Sequence, residues 1–292
     1  MCASIRDVAD FWERNPLFQG ESEALAGSKG FFAEHNRVYV EDCFAGSIDS
    51  RLFPRRKDIG VLDAGCGIGF WTEQFVMRGY ERVDACDPTQ AGLNLTAKRL
   101  ANLGRGAEVT LAKMNVEELG YASEEFDHVN CQGVVHHTPN AAQAVRELHR
   151  VTRLGGTGVI SVYYRGPLLR SWPWVARALA PGLRSLGLKG RGREHLLGEQ
   201  SPEELVRKYD GADNPIGVAF TRHAFLELLK PWRVDETFIH FFPARSLPSR
   251  VPRPVHRLLD RRLGLMIFAR LTRVQALQAG PAEGLGATAG DS

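Results

Sequence analysis

A glycine-rich stretch at residues 60–80, GVLDAGCGIGFWTEQFVMRGY, carries the clearest chemical pattern in this sequence of 292 residues. An apolar run ends at Asp63, and glycines follow at positions 65, 67 and 69 before a helical pattern begins at Phe70. In a turn between a strand and a helix, glycines let the backbone approach a ligand where a Cβ atom would collide. Because Phe70 occupies the position of the third glycine in the dinucleotide fingerprint, a nicotinamide cofactor is disfavoured.

Two carboxylates narrow the choice of ligand. Asp87 ends the next apolar run, where an acidic side chain can accept hydrogen bonds from the hydroxyls of a ribose. Asp63 stands beside the glycines and suits a cationic amino-acid group better than a pyrophosphate, which a carboxylate would repel. The pattern therefore predicts an adenosine-type ligand that carries an amino-acid moiety.

The elements that position these residues follow an α/β pattern from Ile59 onward. Strands are predicted in IGVLDAG, RVDACD, AEVTLAKM, FDHVNCQG and TGVISVYY, separated by helices near 70–79, 89–103 and 140–152. Such alternation is typical of crossover helices packed on a largely parallel sheet. A helix at 221–230 and strands at 232–242 and 264–272 bring the expected sheet to seven strands.

Residues 59–163 resemble the class I S-adenosylmethionine-dependent methyltransferases. VLDAGCGIG is similar to the first motif of that family, and ACDPT is similar to its acidic second motif. The segment FDHVNCQGVVHHTPNAAQAVRELHRVTRLGGTGVISV resembles the fourth motif and the following helix and strand of the methyltransferase type 11 branch, which includes ubiquinone- and menaquinone-biosynthesis methyltransferases. The resemblance implies a doubly wound, Rossmann-like sheet whose last strand is antiparallel, and S-adenosylmethionine as the cofactor.

The resemblance also implies which residues hold the cofactor. The methionine part would be lined by the turn and by the end of the fourth strand, namely Asp63, Gly65, Cys66, Gly67, Gly69, Cys131 and Gln132. The ribose would meet Asp87 with Pro88 and Thr89 beside it. The adenine would meet Asn115, at a position where the family usually has Asp, and Val116. Phe70 and Trp71 would flank the cofactor, with burial of Trp71 in the core as the open alternative.

Methyl transfer requires mainly the alignment of an acceptor and the exclusion of water, and a hydroxyl or carbon acceptor must also lose a proton. His136 and His137 follow the fourth strand at the edge where ligands of open α/β sheets bind, and either could be the base, with His137 favoured. A structural role in the loop is the alternative. Of Tyr163 and Tyr164 only one can face the cleft, because side chains alternate along a strand, and we assign Tyr164 to the site.

The predicted domain organisation has five parts. Residues 1–57 form an N-terminal helical cap, 58–164 the cofactor-binding core, and 165–220 a helical lid insertion. Residues 221–275 complete the sheet, and 276–292 form a disordered tail. Arg37 or Tyr39 of the cap could meet the carboxylate of the cofactor, or their helix could be a solvated surface.

Charge and cysteine content limit the partners. Between Arg165 and His195 the sequence has seven basic residues against one acid, which suits a lid over an acceptor with an anionic group or a peripheral contact with membrane lipid. The net charge of +3 and the absence of a nucleic-acid-binding motif argue against nucleic acid as a binding partner.

The five cysteines lack the spacing of metal ligands, so the sequence predicts neither a metal site nor disulfides. With no apolar run of signal or transmembrane length, we expect a cytoplasmic monomer or homodimer.

The function that we expect is methyl transfer from S-adenosylmethionine to a small, partly apolar organic acceptor, with oxygen or carbon favoured over nitrogen. The alternative is a cyclase or isomerase that uses the bound cofactor without transferring its methyl group. A binding module without activity and a nicotinamide oxidoreductase are weaker alternatives.

Overall fold

Seven strands form one sheet in this computed structural model, which describes residues 3–174, 201–244 and 251–274. The order across the sheet is β3-β2-β1-β4-β5-β7-β6. In chain order the strands are β1 (Gly60–Ala64), β2 (Arg82–Asp87), β3 (Val109–Lys113), β4 (Phe126–Gln132), β5 (Thr152–Tyr163), β6 (Arg233–His240) and β7 (Met266–Thr272). β7 runs antiparallel to β5 and β6, and the other pairings are parallel. The prediction of a doubly wound sheet with an antiparallel last strand is confirmed.

Helices cover both faces of the sheet. They are α1 (Ile5–Arg14), α2 (Lys29–Phe44), α3 (Phe70–Met77), α4 (Gln90–Asn102), α5 (Ala141–Val151), α6 (Pro202–Tyr209), α7 (Arg222–Leu228) and α8 (Arg253–Leu263). Residues 167–174 are also helical. Because side chains alternate along a strand, neighbouring residues of β1 serve different cores: Val61 packs in the cluster that contains α3, and Leu62 packs in the cluster that contains α5.

The sequence specifies the ends of several helices by polar caps. Ser4 and Asp7 form a reciprocal capping box at the start of α1, and the hydroxyl of Ser28 caps α2. Thr89 caps α4 in the same way, so the chain turns sharply between β2 and that helix. These side chains satisfy backbone N–H groups that have no partner within the helix.

A buried arginine connects α2 to α3 and α4 through its side-chain contacts. Arg99 of α4 is 1% exposed and forms an ion pair of 3.0 Å with Glu73 of α3. Its guanidinium also donates to the side-chain oxygen of Asn36, and it lies 3.0 Å from Nδ1 of His35. Loss of the Glu73 carboxylate would leave the buried charge of Arg99 without compensation. The contacts of Arg99 with His35 and Asn36 connect α2 to this ion pair.

The remaining predicted parts are described only partly. Within the predicted lid at 165–220, the structure describes the helical residues 167–174 and α6, and residues 175–200 lie outside the described ranges. The predicted tail at 276–292 also lies outside them. Across the described ranges, every helix is too short or too polar to cross a bilayer.

Candidate active site

A cavity lies at the carboxyl edge of the sheet, near the boundary between β1 and β4. At this boundary the order in which the chain adds strands to the sheet changes direction, from β1-β2-β3 on one side to β4-β5 on the other. Open α/β sheets bind their ligands at this switch point. From the sheet and its loops the lining includes residues 65–68, 87–89, 114–116, 132–134 and 136–138. From the cap it includes Ile5, Val8 and Trp12 of α1 and His35, Val38, Tyr39, Asp42 and Cys43 of α2.

The glycine turn brings backbone to the wall of the cavity. Gly65, Gly67 and Gly69 all have positive φ angles, of 77°, 54° and 80°. A Cβ atom at Gly65 would overlap Val134, and one at Gly69 would come within 2.8 Å of Thr96, so these two glycines serve close packing. A Cβ atom at Gly67 would meet no protein atom within 4 Å. Since Gly67 lines the cavity, its missing side chain leaves room for a ligand.

Asp87 holds the turn and keeps part of its hydrogen-bonding capacity. Its Oδ2 accepts a bond of 2.9 Å from the backbone N–H of Gly67, and its Oδ1 accepts bonds from the N–H and hydroxyl of Thr89. Burial raises the pKa of this carboxyl group, although the bonds from Thr89 and Gly67 oppose the rise. A carboxylate oxygen accepts about two hydrogen bonds, so Oδ2 can accept one more, as a ribose hydroxyl would require.

A chain of amides connects Asp63 to the cavity. Asp63 is 1% exposed, and its carboxylate accepts bonds from the Thr72 hydroxyl at 2.6 Å and from Nδ2 of Asn130 at 2.8 Å. The oxygen of Asn130 then accepts from Nε2 of Gln132 at 2.6 Å. Gln132 lines the cavity, and its buried Oε1 has no hydrogen-bond partner among the described residues. A ligand that donates a hydrogen bond would satisfy this oxygen.

Most of the residues predicted to hold the cofactor line this one cavity. They are Gly65, Cys66, Gly67, Phe70, Trp71, Asp87, Pro88, Thr89, Asn115, Val116 and Gln132. Asn115 also uses its side-chain oxygen to accept a bond from the N–H of Glu117, which orders the loop after β3. Trp71 lines the cavity and also packs in a core cluster, so both alternatives for this residue stay open.

Three predicted cofactor residues lie behind the lining. Asp63 acts through Asn130 as described above. Gly69 begins α3 and permits its packing against α4. Cys131 is fully buried on the face of β4 that packs with α5, because it alternates with Gln132 along the strand. The expectation that these three residues line the methionine part requires this correction.

His136 and His137 both line the cavity, but their rings differ in burial and in contacts. His136 is 2% exposed, and burial lowers its pKa well below the ordinary value, with the neighbouring His137 acting in the same direction. His137 places Nδ1 at 2.6 Å from the carbonyl oxygen of Ile216 and Nε2 at 3.3 Å from Oδ2 of Asp210. Both nitrogens of His137 therefore already have acceptor partners.

The structure corrects the choice of tyrosine. Tyr163 lines the cavity, and its hydroxyl donates a bond of 2.8 Å to Oδ2 of Asp210. Tyr164 points to the other side, where it packs beside the α5 cluster. The alternation of side chains was visible in the sequence, but which tyrosine faces the cleft depends on the register between β5 and β7, which places Tyr163 opposite Met266.

Several lining residues were not singled out as site residues from the sequence. Asp210 comes from the loop after α6, and Trp12 of α1 places its ring edge-on to His137 with centroids 5.3 Å apart.

Of the two cap residues considered for the cofactor carboxylate, Tyr39 lines the cavity, whereas Arg37 is exposed and lies 3.8 Å from Glu34. No group of three or more metal-ligating side chains is found in the parts of the chain that the structure describes.

Comparisons with known proteins agree with this geometry. Residues 62–160 match the family described as a methyltransferase domain. The ubiquinone biosynthesis O-methyltransferase of Alkalilimnicola ehrlichii is 35% identical over 130 residues, which cover 44% of this chain and 48% of that protein. Residues 62–160 therefore carry a methyltransferase domain. The chain spans about half the length of the curated relatives that it matches.

Solved structures show the same fold for the methyltransferase domain and its surroundings. An S-adenosylmethionine-dependent methyltransferase from Mesorhizobium loti has a TM-score of 0.51 at 18% identity, covering 76% of this chain and 94% of that one. The cyclase SpnF has a TM-score of 0.54 at 12% identity, covering 94% of this chain and 97% of that one. The family and the fold imply S-adenosylmethionine as the cofactor.

Proposed function

We propose that this chain transfers the methyl group of S-adenosylmethionine to a hydroxyl oxygen of a small, largely apolar acceptor. The observation that supports this proposal is that one cavity contains both the glycine turn with Asp87 and the polar group formed by His137, Tyr163 and Asp210. A cofactor at the turn and an acceptor at the polar group would therefore meet inside a single enclosure.

The lining residues fit the parts of the cofactor. Oδ2 of Asp87 would accept a bond from a ribose hydroxyl, and the open wall at Gly67 would let the methionine part approach the backbone. The unsatisfied Oε1 of Gln132 would accept a bond from the cofactor's ammonium group. Asn115 and Val116 would contact the adenine.

When bound, S-adenosylmethionine supplies a methyl group on a sulfonium, which is already a good leaving group. The protein therefore has to hold the acceptor in line and exclude water. Helices α1 and α2 would serve the second purpose, because their apolar side chains form the wall of the cavity opposite the sheet. The polar group formed by His137, Tyr163 and Asp210 would orient the hydroxyl that receives the methyl group through the carboxylate of Asp210.

The charges of the lining favour an acceptor without an anionic group. Among the described lining residues, the charged side chains other than histidines are all carboxylates, those of Glu21, Asp42, Asp87 and Asp210. The remaining wall is largely aromatic and aliphatic, with Trp12, Tyr209 and Phe241 near the polar group. The described arginines of the predicted lid have other partners: Arg165 pairs with Glu203, Arg170 donates to the carbonyl of Arg165, and Arg207 pairs with Glu204. Transfer to oxygen is further supported by the O-methyltransferase activity in the name of the A. ehrlichii relative.

The test uses S-adenosylmethionine with a trideuterated methyl group and a panel of phenols, catechols and aliphatic alcohols. Mass spectrometry should detect an acceptor that gains the labelled methyl, together with an equal amount of S-adenosylhomocysteine. Conversion of a substrate without formation of S-adenosylhomocysteine would instead support the cyclase or isomerase alternative. Calorimetry that detects no binding of S-adenosylmethionine or S-adenosylhomocysteine would contradict both functions.

A further inference from the structure

We propose that Asp210 receives the proton of the acceptor hydroxyl, and that His137 and Tyr163 are positioning residues that hold its carboxylate. This inference rests on the proposed function, because it assigns the base for transfer to oxygen. The sequence pattern favoured His137 for this role. The hydrogen bonds around the polar group point to Asp210 instead.

The two oxygens of Asp210 differ in their surroundings. Oδ2 accepts from the hydroxyl of Tyr163 at 2.8 Å and lies 3.3 Å from Nε2 of His137. Oδ1 has no hydrogen-bond partner among the residues that the structure describes, and the Asp210 side chain, 13% exposed, lines the cavity. Because a carboxylate can accept hydrogen bonds on both oxygens, Oδ1 is available to a hydroxyl group in the cavity.

Neither ring nitrogen of His137 is open to the hydroxyl of the methyl acceptor. Its Nδ1 lies 2.6 Å from the carbonyl oxygen of Ile216, which can only accept. Its Nε2 lies 3.3 Å from Oδ2 of Asp210, so that carboxylate occupies the position from which a hydroxyl in the cavity would reach Nε2. These two contacts fix the ring in a position that holds the carboxylate of Asp210.

The other two polar rings are also unsuited to the role. Nδ1 of His136 is buried without a partner among the described residues, and burial keeps the pKa of this ring well below its ordinary value. Burial and the nearby Asp210 carboxylate raise the pKa of Tyr163 well above its ordinary value, so its hydroxyl stays protonated and acts as a donor. Within the polar group formed by His137, Tyr163 and Asp210, Oδ1 of Asp210 is therefore the oxygen left open to a hydroxyl in the cavity.

The proposed step conserves atoms and charge. The acceptor oxygen forms a bond to the methyl carbon, while the bond from that carbon to the sulfonium sulfur breaks and leaves its electron pair on sulfur. The hydroxyl proton moves to Oδ1 of Asp210 as the acceptor oxygen loses electron density. The products are a methyl ether, S-adenosylhomocysteine and a neutral Asp210, which then returns its proton to water.

The test follows 4-nitrophenol, whose phenolate form absorbs visible light, bound to the protein together with S-adenosylhomocysteine. Beside a carboxylate the bound probe should stay a neutral phenol, since the phenolate would be repelled. In Asp210→Asn the ratio of bound phenolate to phenol at one pH should rise by about tenfold, which corresponds to one pKa unit for the probe. Tyr163→Phe removes one contact that holds Oδ2 and should give a smaller rise. Asp213→Asn, an exposed change in the same loop, should give none.

The outcomes separate this inference from the proposed function. For an acceptor found by the labelled assay, Asp210→Asn should lower kcat far more than KM and leave S-adenosylhomocysteine affinity within about twofold, which also shows that the variant is folded. Equal probe spectra in the wild type and Asp210→Asn, or no probe binding while S-adenosylhomocysteine binds, would overturn the assignment of Asp210. If S-adenosylhomocysteine does not bind the wild type, the proposed function fails first and the inference fails with it.

Discussion

Nδ2 of Asn130 donates a hydrogen bond of 2.8 Å to the carboxylate of Asp63, and this bond determines which way two amides point. The residues are partners in the register of β1 and β4, so their side chains emerge side by side. A carboxylate only accepts, so Asn130 must turn its oxygen towards Nε2 of Gln132. Gln132 consequently presents an acceptor oxygen at the cavity. Asp63 thus prepares the site without lining it.

The charge on Asp63 should make stability depend on pH. Burial raises the pKa of Asp63 to about 6, against the opposing hydrogen bonds from Thr72 and Asn130. Because this pKa lies above the ordinary value of 3.8, the contribution to stability is complete below about pH 4 and is lost as the pH rises through 6. Relative to Asp63→Asn, the free energy of unfolding of the wild type should fall by about 2–3 kcal/mol between pH 4 and pH 7, measured by urea titration of both proteins.

Asp127 offers a control of opposite sign. Burial raises the pKa of its carboxyl group, but the bonds from the Gly60 N–H and Arg153 outweigh burial and leave the pKa below its ordinary value. Its contribution is therefore present at neutral pH and lost as the pH falls. A difference between wild type and Asp63→Asn that does not change with pH, or that changes in the direction of Asp127→Asn, would contradict the prediction.

Gly67→Ala should impair ligand binding more than it impairs folding. Gly67 and Gly79 both have positive φ angles, of 54° and 74°, and at neither position would a Cβ atom meet a protein atom within 4 Å. Both substitutions to alanine should therefore cost a similar ~1 kcal/mol of stability from backbone strain. Only Gly67 lines the cavity, so only Gly67→Ala should weaken S-adenosylhomocysteine binding, by about tenfold or ~1.4 kcal/mol in calorimetry. Equal affinities of the two variants would remove the turn from the binding site.

The sequence predicted the sheet because each element carried its own local signal. The run that ends at Asp63 and the cap at Thr89 each mark an element boundary without help from distant residues. The prediction was also right to expect an antiparallel last strand, since the resemblance fixes that topology. Local pattern and fold agree throughout this region, as expected of a sequence that folds consistently.

The polar end of the cavity could not be predicted in the same way. Asp210 lies in a loop, where neither periodicity nor spacing indicates the direction of a side chain. The choice between Tyr163 and Tyr164 depends on how β5 meets β7 across the sheet. The pair of acceptors around His137 comes from Ile216 and Asp210, more than 70 residues away along the chain. Such long-range contacts decide which group is free to react.

Asp87→Ala should weaken the binding of S-adenosylhomocysteine by about 1–3 kcal/mol, the cost of leaving polar partners unsatisfied. The substitution removes an acceptor for the ribose and also releases the N–H of Gly67 and the hydroxyl of Thr89. Asp84→Asn is the matched control on the same strand, because Asp84 is also buried but pairs with Arg82 at 2.6 Å and does not line the cavity. Calorimetry should find the control within about twofold of the wild type. Unchanged affinity in Asp87→Ala would exclude Asp87 from the ribose contact.

Glu13→Gln should speed the release of the ligand, because Glu13 fastens α1 to the start of α4. Its Oε2 accepts from the N–H of Gln90 at 2.7 Å, and its Oε1 accepts from the N–H of Ala91 at 3.0 Å. A carboxylate at a helix N-terminus contributes about 0.3–1 kcal/mol, and the neutral amide loses that charge and one of the two acceptors. Since α1 covers the cavity with Ile5, Val8 and Trp12, its loosening should open a path to solvent.

The expected change is a rise of about two- to fivefold in the dissociation rate of S-adenosylhomocysteine. This rate is measured in a stopped-flow instrument by displacing the bound ligand with excess S-adenosylmethionine. Asp10→Asn is the control, because Asp10 is an exposed acid on the same helix that makes no side-chain bond to α4 in the described part of the chain. High salt should narrow the difference between Glu13→Gln and the wild type, since an exposed charge is screened. If both variants release the ligand at the wild-type rate, α1 does not control the exit, and the ligand must leave past another wall of the cavity.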